Sequence, residues 1–149
     1  MELNAKNIMT TEVVTVNEDA SVYEGMELLI STNTNCLPVV DSFGKLLGIV
    51  TETDLIYIDK KLSGDSHYAY AEMNTPVDLR VLKNDLSRLN NIKIGQVMTT
   101  KLITVREDTS LEKILDIIIN KKIKTIPVVT DTEIVGIITR KNILKYYLK

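Results

Sequence analysis

The stretch Gly48-Ile49-Val50-Thr51-Glu52-Thr53-Asp54 holds the residue types and spacing best suited to chemistry. A glycine within a strand lets another backbone approach closely. Thr51, followed three residues later by Asp54, then opens a helix. The plain account of that pair is a capping box, because a hydroxyl residue followed three positions on by an acid is common at helix starts. The chemical account uses the same geometry. A helix N-terminus offers amides and a partial positive charge to phosphate. The Thr51 hydroxyl adds a hydrogen bond, and the Asp54 carboxylate accepts from two vicinal hydroxyls at once, as on a ribose. Threonine and aspartate at this spacing suit a ribonucleotide, and both accounts stay open.

A second copy, Gly136-Ile137-Ile138-Thr139, has Asn142 where the first has Asp54. An amide keeps one acceptor oxygen but loses the charge. A charged hydrogen bond is worth about 1 kcal/mol more than a neutral one, so this copy is expected to be weaker or empty, and a carboxylate at 142 to strengthen it. Arg140, Lys141, Lys121, Lys122 and Lys124 supply nearby positive charge that suits either phosphate or a solvated helix face. His67 is the sole histidine, which excludes a multi-histidine metal site. Cys36 reads as a small buried hydrophobe in a strand. Tyr146 and Tyr147 read as packing or dimer contacts. There is no phosphate-cradling glycine loop, no H-E-x-x-H and no G-x-S-x-G, and no nucleophile–base pair is apparent, so no enzyme activity is expected.

These residues are positioned by elements that the chain builds twice. Ile8–Val40 aligns with Val97–Val129 at an offset of 89, with 12 of 33 positions identical, among them Met9/Met98, Thr10/Thr99, Ser21/Ser110 and Pro38/Pro127. One deletion later, at an offset of 88, the two glycine-to-threonine stretches coincide. Each repeat reads as strand, helix, strand, strand, helix. The first strands are Val13–Val16 and Leu102–Val105. Ser21 and Ser110 are N-caps, with Glu24 completing a box on Ser21. Leu111, Ile114, Leu115, Ile118 and Ile119 form the buried stripe of one helix, and Val22, Met26, Leu29 and Ile30 that of the other. Hairpins follow, Cys36–Val40 with Lys45–Val50 and Thr125–Val129 with Ile134–Ile138, around turns at Asp41–Gly44 and Thr130–Glu133. Pro38 and Pro127 suggest edge strands or irregular starts. The expected domains are residues 1–58, an ordered insertion over 59–96, and 97–149. Within the insertion Leu79, Leu82, Leu86 and Leu89 mark an amphipathic helix after the break at Pro76.

Bulk properties narrow the function. The 149 residues carry 18 basic and 20 acidic side chains, a net charge of −2 that argues against nucleic acid or a membrane surface as partner. No apolar run approaches the roughly 20 residues that span a bilayer. The N-terminus lacks a signal-peptide pattern, and the single cysteine allows no intrachain disulfide; both favour the cytoplasm.

The twofold pattern of Met-Thr, Thr-Val, Pro-Val-Val and G-h-x-T-x-x-D resembles CBS motifs arranged as a tandem pair, over Ile8–Ile58 and Val97–Tyr147. The resemblance implies an α/β (α+β) fold, two β-α-β-β-α repeats related by a pseudo-twofold and packed sheet to sheet. It also implies two clefts that bind an adenine nucleotide or adenosyl compound of the AMP, ADP or ATP class, with residues crossing between repeats. One site would use Thr51, Thr53 and Asp54 with Thr99, Thr104, Lys124 and Thr125. The weaker site would use Thr139 and Asn142 with Thr10, Thr15, Asn35 and Cys36. No other cofactor is required. The implied function is regulatory: occupancy is passed to a partner protein by conformational change, in a homodimer formed by the helices after the two G-x-x-T turns. The alternative is a structural dimerisation module with vestigial pockets.

Overall fold

A computed structural model describes residues 3–62 and 86–148. Along the chain run α1 (Ala5–Ile8), β1 (Val16–Asn17), α2 (Val22–Thr32), β2 (Cys36–Val40), β3 (Leu46–Thr51), α3 (Glu52–Ile56) and α4 (Ile58–Leu62). From residue 86 onward come α5 (Leu86–Asn91), α6 (Ile94–Val97), α7 (Leu111–Asn120), β4 (Thr125–Thr130), β5 (Glu133–Thr139) and α8 (Arg140–Tyr147). Leu79, Leu82, Pro76 and His67 lie outside the described residues.

The chain forms two compact units, and neither is simply one repeat. The first-repeat unit comprises Val14–Phe43 and Leu47–Leu102; the second-repeat unit comprises Met1–Val13, Gly44–Leu46 and Ile103–Lys149. Each repeat therefore keeps its helix and most of its hairpin but takes its Met-Thr segment from ahead of the other repeat. Each unit has its own core. Val22, Leu37, Val39, Val50, Ile58 and Ile94 belong to the first, and Ala5, Ile114, Ile126, Val128 and Ile138 to the second, all at 0% exposure.

Local signals act as expected at the helix starts. The Ser21 hydroxyl accepts from the Glu24 amide at 3.1 Å and that of Ser110 from the Lys113 amide at 3.2 Å. Exposed Glu24 returns no bond, so only the serine half of the expected box forms. The helix stripes need correction. Ile114 and Ile117 are buried in α7, whereas Ile119 is 66% exposed; in α2, Val22, Gly25 and Leu29 are buried and Ile30 is 81% exposed. Ile119 and Ile30 each lie five residues past a buried position, about 140° around the helix at 3.6 residues per turn.

The first strands are shorter than expected. Only Val16 and Asn17 pair, in parallel, with Val39 and Val40, and in the other unit Val105 alone bridges Val128. The prolines explain this. The Pro127 carbonyl accepts from the Val105 amide at 3.1 Å, and Val129 returns an amide to Val105 at 2.8 Å. Proline has no N–H to offer the residues before Val105, so the ladder starts there. The expectation of an edge position also fails for Pro38, because β2 lies between β1 and β3.

The Met-Thr segments extend the hairpins. Thr99 and Ile49 exchange backbone bonds at 2.9 and 2.7 Å, and Thr10 and Ile137 do the same at 2.9 and 3.0 Å. Glycine permits this close approach. A Cβ on Gly48 would lie 2.6 Å from the Thr99 carbonyl oxygen, and one on Gly136 would lie 2.5 Å from the Met9 sulfur. Backbone cannot yield, but a methionine side chain swings aside. Gly48→Ala should therefore cost about 1–3 kcal/mol and Gly136→Ala distinctly less, as read from urea midpoints. Equal losses would show that the backbone approach at Thr99 is not the constraint.

Candidate functional site

Asp54 is 3% exposed at the start of α3, and the capping box is complete. The Thr51 hydroxyl accepts from the Asp54 amide at 3.1 Å, and the Thr51 amide donates to Asp54 Oδ2 at 3.0 Å. The carboxylate has further partners. The Thr99 hydroxyl lies 3.1 Å from Oδ1 and 3.2 Å from Oδ2, and Lys61 Nζ lies 3.1 Å from Oδ1. Lys61 also donates to the Thr99 hydroxyl at 3.2 Å, and its side chain is only 6% exposed. A buried carboxylate needs such donors, since an unpaired charge away from water is costly.

Sequence reasoning left Lys61 out, because it lies in the segment treated as an insertion. A signal existed: it follows Asp54 by seven residues, two helical turns, on the same face of the α3–α4 stretch. The expected phosphate cradle is much reduced. Helix α3 has five residues; its Glu52 amide donates to the Asn35 carbonyl at 3.2 Å, and its Asp54 amide is taken by Thr51.

In the second-repeat unit the same frame carries a neutral group. Asn142 Oδ1 accepts from the Thr139 amide and hydroxyl, both at 2.9 Å. Its Nδ2 donates to the Ile8 carbonyl at 2.8 Å and to the Thr10 hydroxyl at 2.9 Å. An amide supplies these donors without a counter-charge. Lys149, which corresponds to Lys61, lies outside the described residues.

The structure thus brings Thr99 to Thr51 and Asp54, and Thr10 to Thr139 and Asn142. Thr53 is exposed on α3. Thr15 is half-buried ahead of β1, and half-buried Cys36 opens β2. Exposed Asn35 lines an open cavity of about 620 Å³ with apolar Met26, Leu29, Ile30 and Ile56. Thr104, Lys124 and Thr125 belong to the second-repeat unit, where Thr104 and Lys124 are exposed and Thr125 pairs with Thr139 across β4 and β5. Among the described residues no cluster of three or more His, Cys, Asp or Glu could hold a metal ion, and no helix is long and apolar enough to cross a membrane.

Comparison with known proteins gives this arrangement a context. The CBS domain family model matches residues 5–61 and 94–149. CBS domain-containing protein CBSX1, chloroplastic, from Arabidopsis thaliana is 32% identical over 139 residues, covering 90% of this chain and 58% of that protein. The chain spans about half the length of the first curated relatives it matches. The crystal structure of CBSX2 in complex with AMP is 26% identical, with a TM-score of 0.73 and coverage of 97% of this chain and 96% of that one. The CBS domain pair of protein MJ0100, in complex with 5′-methylthioadenosine and S-adenosyl-L-methionine, is also 26% identical, with a TM-score of 0.68 and coverage of 99% and 97%.

The Asn142 geometry also sets a cost for a carboxylate at this position in the unliganded fold. In Asn142→Asp a carboxylate oxygen would replace the amide that now donates to the Ile8 carbonyl, setting two acceptors against each other. The substitution should lower stability by about 1–3 kcal/mol, the range for a buried acceptor left without its donor. An unchanged melting temperature would mean that the Ile8 contact contributes nothing.

Proposed function

The chain belongs to the CBS domain family as a tandem pair, and from that premise we propose that it is a regulatory module that binds an adenosyl ligand of the AMP, ADP or ATP class through Thr51, Asp54 and Thr99. The observation that carries this reading is the buried Asp54 carboxylate, which accepts from the Thr51 amide and the Thr99 hydroxyl, in a chain whose CBSX2 and MJ0100 relatives hold AMP, S-adenosyl-L-methionine and 5′-methylthioadenosine. Asp54 is assigned the ribose hydroxyls. Thr53, Thr104, Lys124 and Thr125 complete that site, and Thr10, Thr15, Asn35, Cys36, Thr139 and Asn142 form the weaker one. The module catalyses nothing itself and acts in the cytoplasm, a reading supported by the lone cysteine.

The partner we assign first is a second copy. Ile30 and Ile119 occupy corresponding places in the two repeats and are both exposed, as are Ile56 (40%) and Leu144 (60%). The same apolar pattern on both units suits a self-complementary surface of a homodimer. Ligand occupancy then reaches a regulated protein by favouring one packing of the helices over another.

The rival reading, a dimerisation module with vestigial pockets, draws on the fact that Asp54 and Asn142 are already satisfied within the protein. Titration decides between them. A ligand bound only to the native state raises its melting temperature, so AMP or S-adenosyl-L-methionine should do so, and no rise with either favours the rival. Asp54→Ala should weaken binding by about 1–3 kcal/mol through loss of a charged acceptor. If Asp54 reads the ribose, 2′-deoxy-AMP should bind wild type about 1–2 kcal/mol less well than AMP, with a much smaller gap in Asp54→Ala. Equal gaps would remove the ribose role.

A further inference from the structure

We propose that Lys61 is a latch on Asp54: its ammonium holds the carboxylate closed, and a ribose can take Asp54 only by displacing it. This inference rests on the nucleotide reading of Asp54 given above. The carboxylate's donors leave little room for a second set. Lys61 Nζ and the Thr99 hydroxyl approach Oδ1, both at 3.1 Å, while the Thr51 amide and the same hydroxyl approach Oδ2 at 3.0 and 3.2 Å. With side chains only 6% and 4% exposed, Lys61 and Asp54 are both closed off from solvent. A vicinal diol needs two acceptor positions on that carboxylate, and it must enter from a side now closed to solvent.

Of the three donors, the ammonium is the one that can leave. The Thr51 amide is fixed by the capping box, and Thr99 is fixed by its backbone exchange with Ile49. Lys61 reaches Asp54 on a flexible four-carbon stem from α4, a helix of five residues whose last member, Leu62, is 41% exposed. A lysine moving into water regains full hydration, and the two ribose hydroxyls replace its bond to the carboxylate. Because the Lys61 amide is held by the Tyr57 carbonyl at 3.0 Å, in the turn that joins α3 to α4, unseating the ammonium loosens that turn as well. Occupancy of Asp54 is thereby coupled to the stability of α4. In the second-repeat unit the corresponding amide of Asn142 is held by the Ile8 backbone oxygen and the Thr10 hydroxyl oxygen.

The test is calorimetric titration of wild type and Lys61→Met with AMP and with 5′-methylthioadenosine, which keeps both ribose hydroxyls and has no phosphate. Both ligands should bind Lys61→Met about tenfold more tightly, the factor by which a closed state favoured about ten to one lowers apparent affinity. Lys61→Gln serves if the methionine variant does not fold. In wild type, AMP should also speed hydrogen exchange of the α4 amides. A gain with both ligands together with faster α4 exchange supports the latch. Unchanged or weaker binding in the variant overturns it, as does a gain with one ligand alone, because both carry the same ribose. Slowed or unchanged α4 exchange on binding overturns it too. If neither wild type nor variant binds either ligand, the nucleotide reading itself fails and the latch falls with it.

Discussion

A carboxylate with 3% exposure must find its donors within the protein, and Asp54 draws them from three separate stretches of chain. Thr51 lies in the same turn, Lys61 lies two helical turns on, and Thr99 arrives from ahead of the second repeat. The rest of the first-repeat unit is arranged to let them meet. Gly48 has no side chain, so the Thr99 backbone can lie against β3; the serine-capped helix α2 and the buried Ile94 of α6 hold the incoming segment. An ion pair of this kind is weak as a source of net stability, since desolvation offsets much of its attraction. Its value lies in specifying which segments come together.

The two units solve one geometric problem with different chemistry. Both place a side chain three residues past a threonine and set it against the Met-Thr segment. A charged acceptor at that place calls for cationic and hydroxyl donors, and Asp54 has them. A neutral amide brings two donors of its own, so Asn142 satisfies the Ile8 carbonyl and Thr10 directly. The difference concerns more than affinity for a ligand. In the proposed latch Asp54 exchanges one set of donors for another, whereas the Asn142 amide is engaged through both its oxygen and its nitrogen.

Exposed apolar residues carry the other half of the reading. Ile30 and Ile119 belong to a periodic apolar run, and simple periodicity assigns them to the core. They face outward because each helix is apolar around more of its circumference than its own hairpin covers. The surplus face recurs in both repeats, and it is this recurrence that the proposed homodimer rests on.

What the sequence determined by itself was local and repeated. The duplication, the two hairpins, the serine caps and the Thr51–Asp54 box rest on interactions between residues a few positions apart, and such patterns are legible without a fold. The resemblance to CBS pairs was legible for the same reason, because its motifs are short and occur twice in order. The tertiary structure decided which segment each motif meets. Thr99 lies 45 residues from Asp54, and Thr10 lies 132 residues from Asn142. No periodicity reports an approach of that kind, and for Lys61 the seven-residue step from Asp54 marks a shared helix face without identifying a counter-charge. The truncation of the first strands at Pro38 and Pro127 and the outward turn of Ile30 and Ile119 were decided at the same level. Each depends on what packs against the element, and packing is a property of chain segments that become neighbours only once the core has formed.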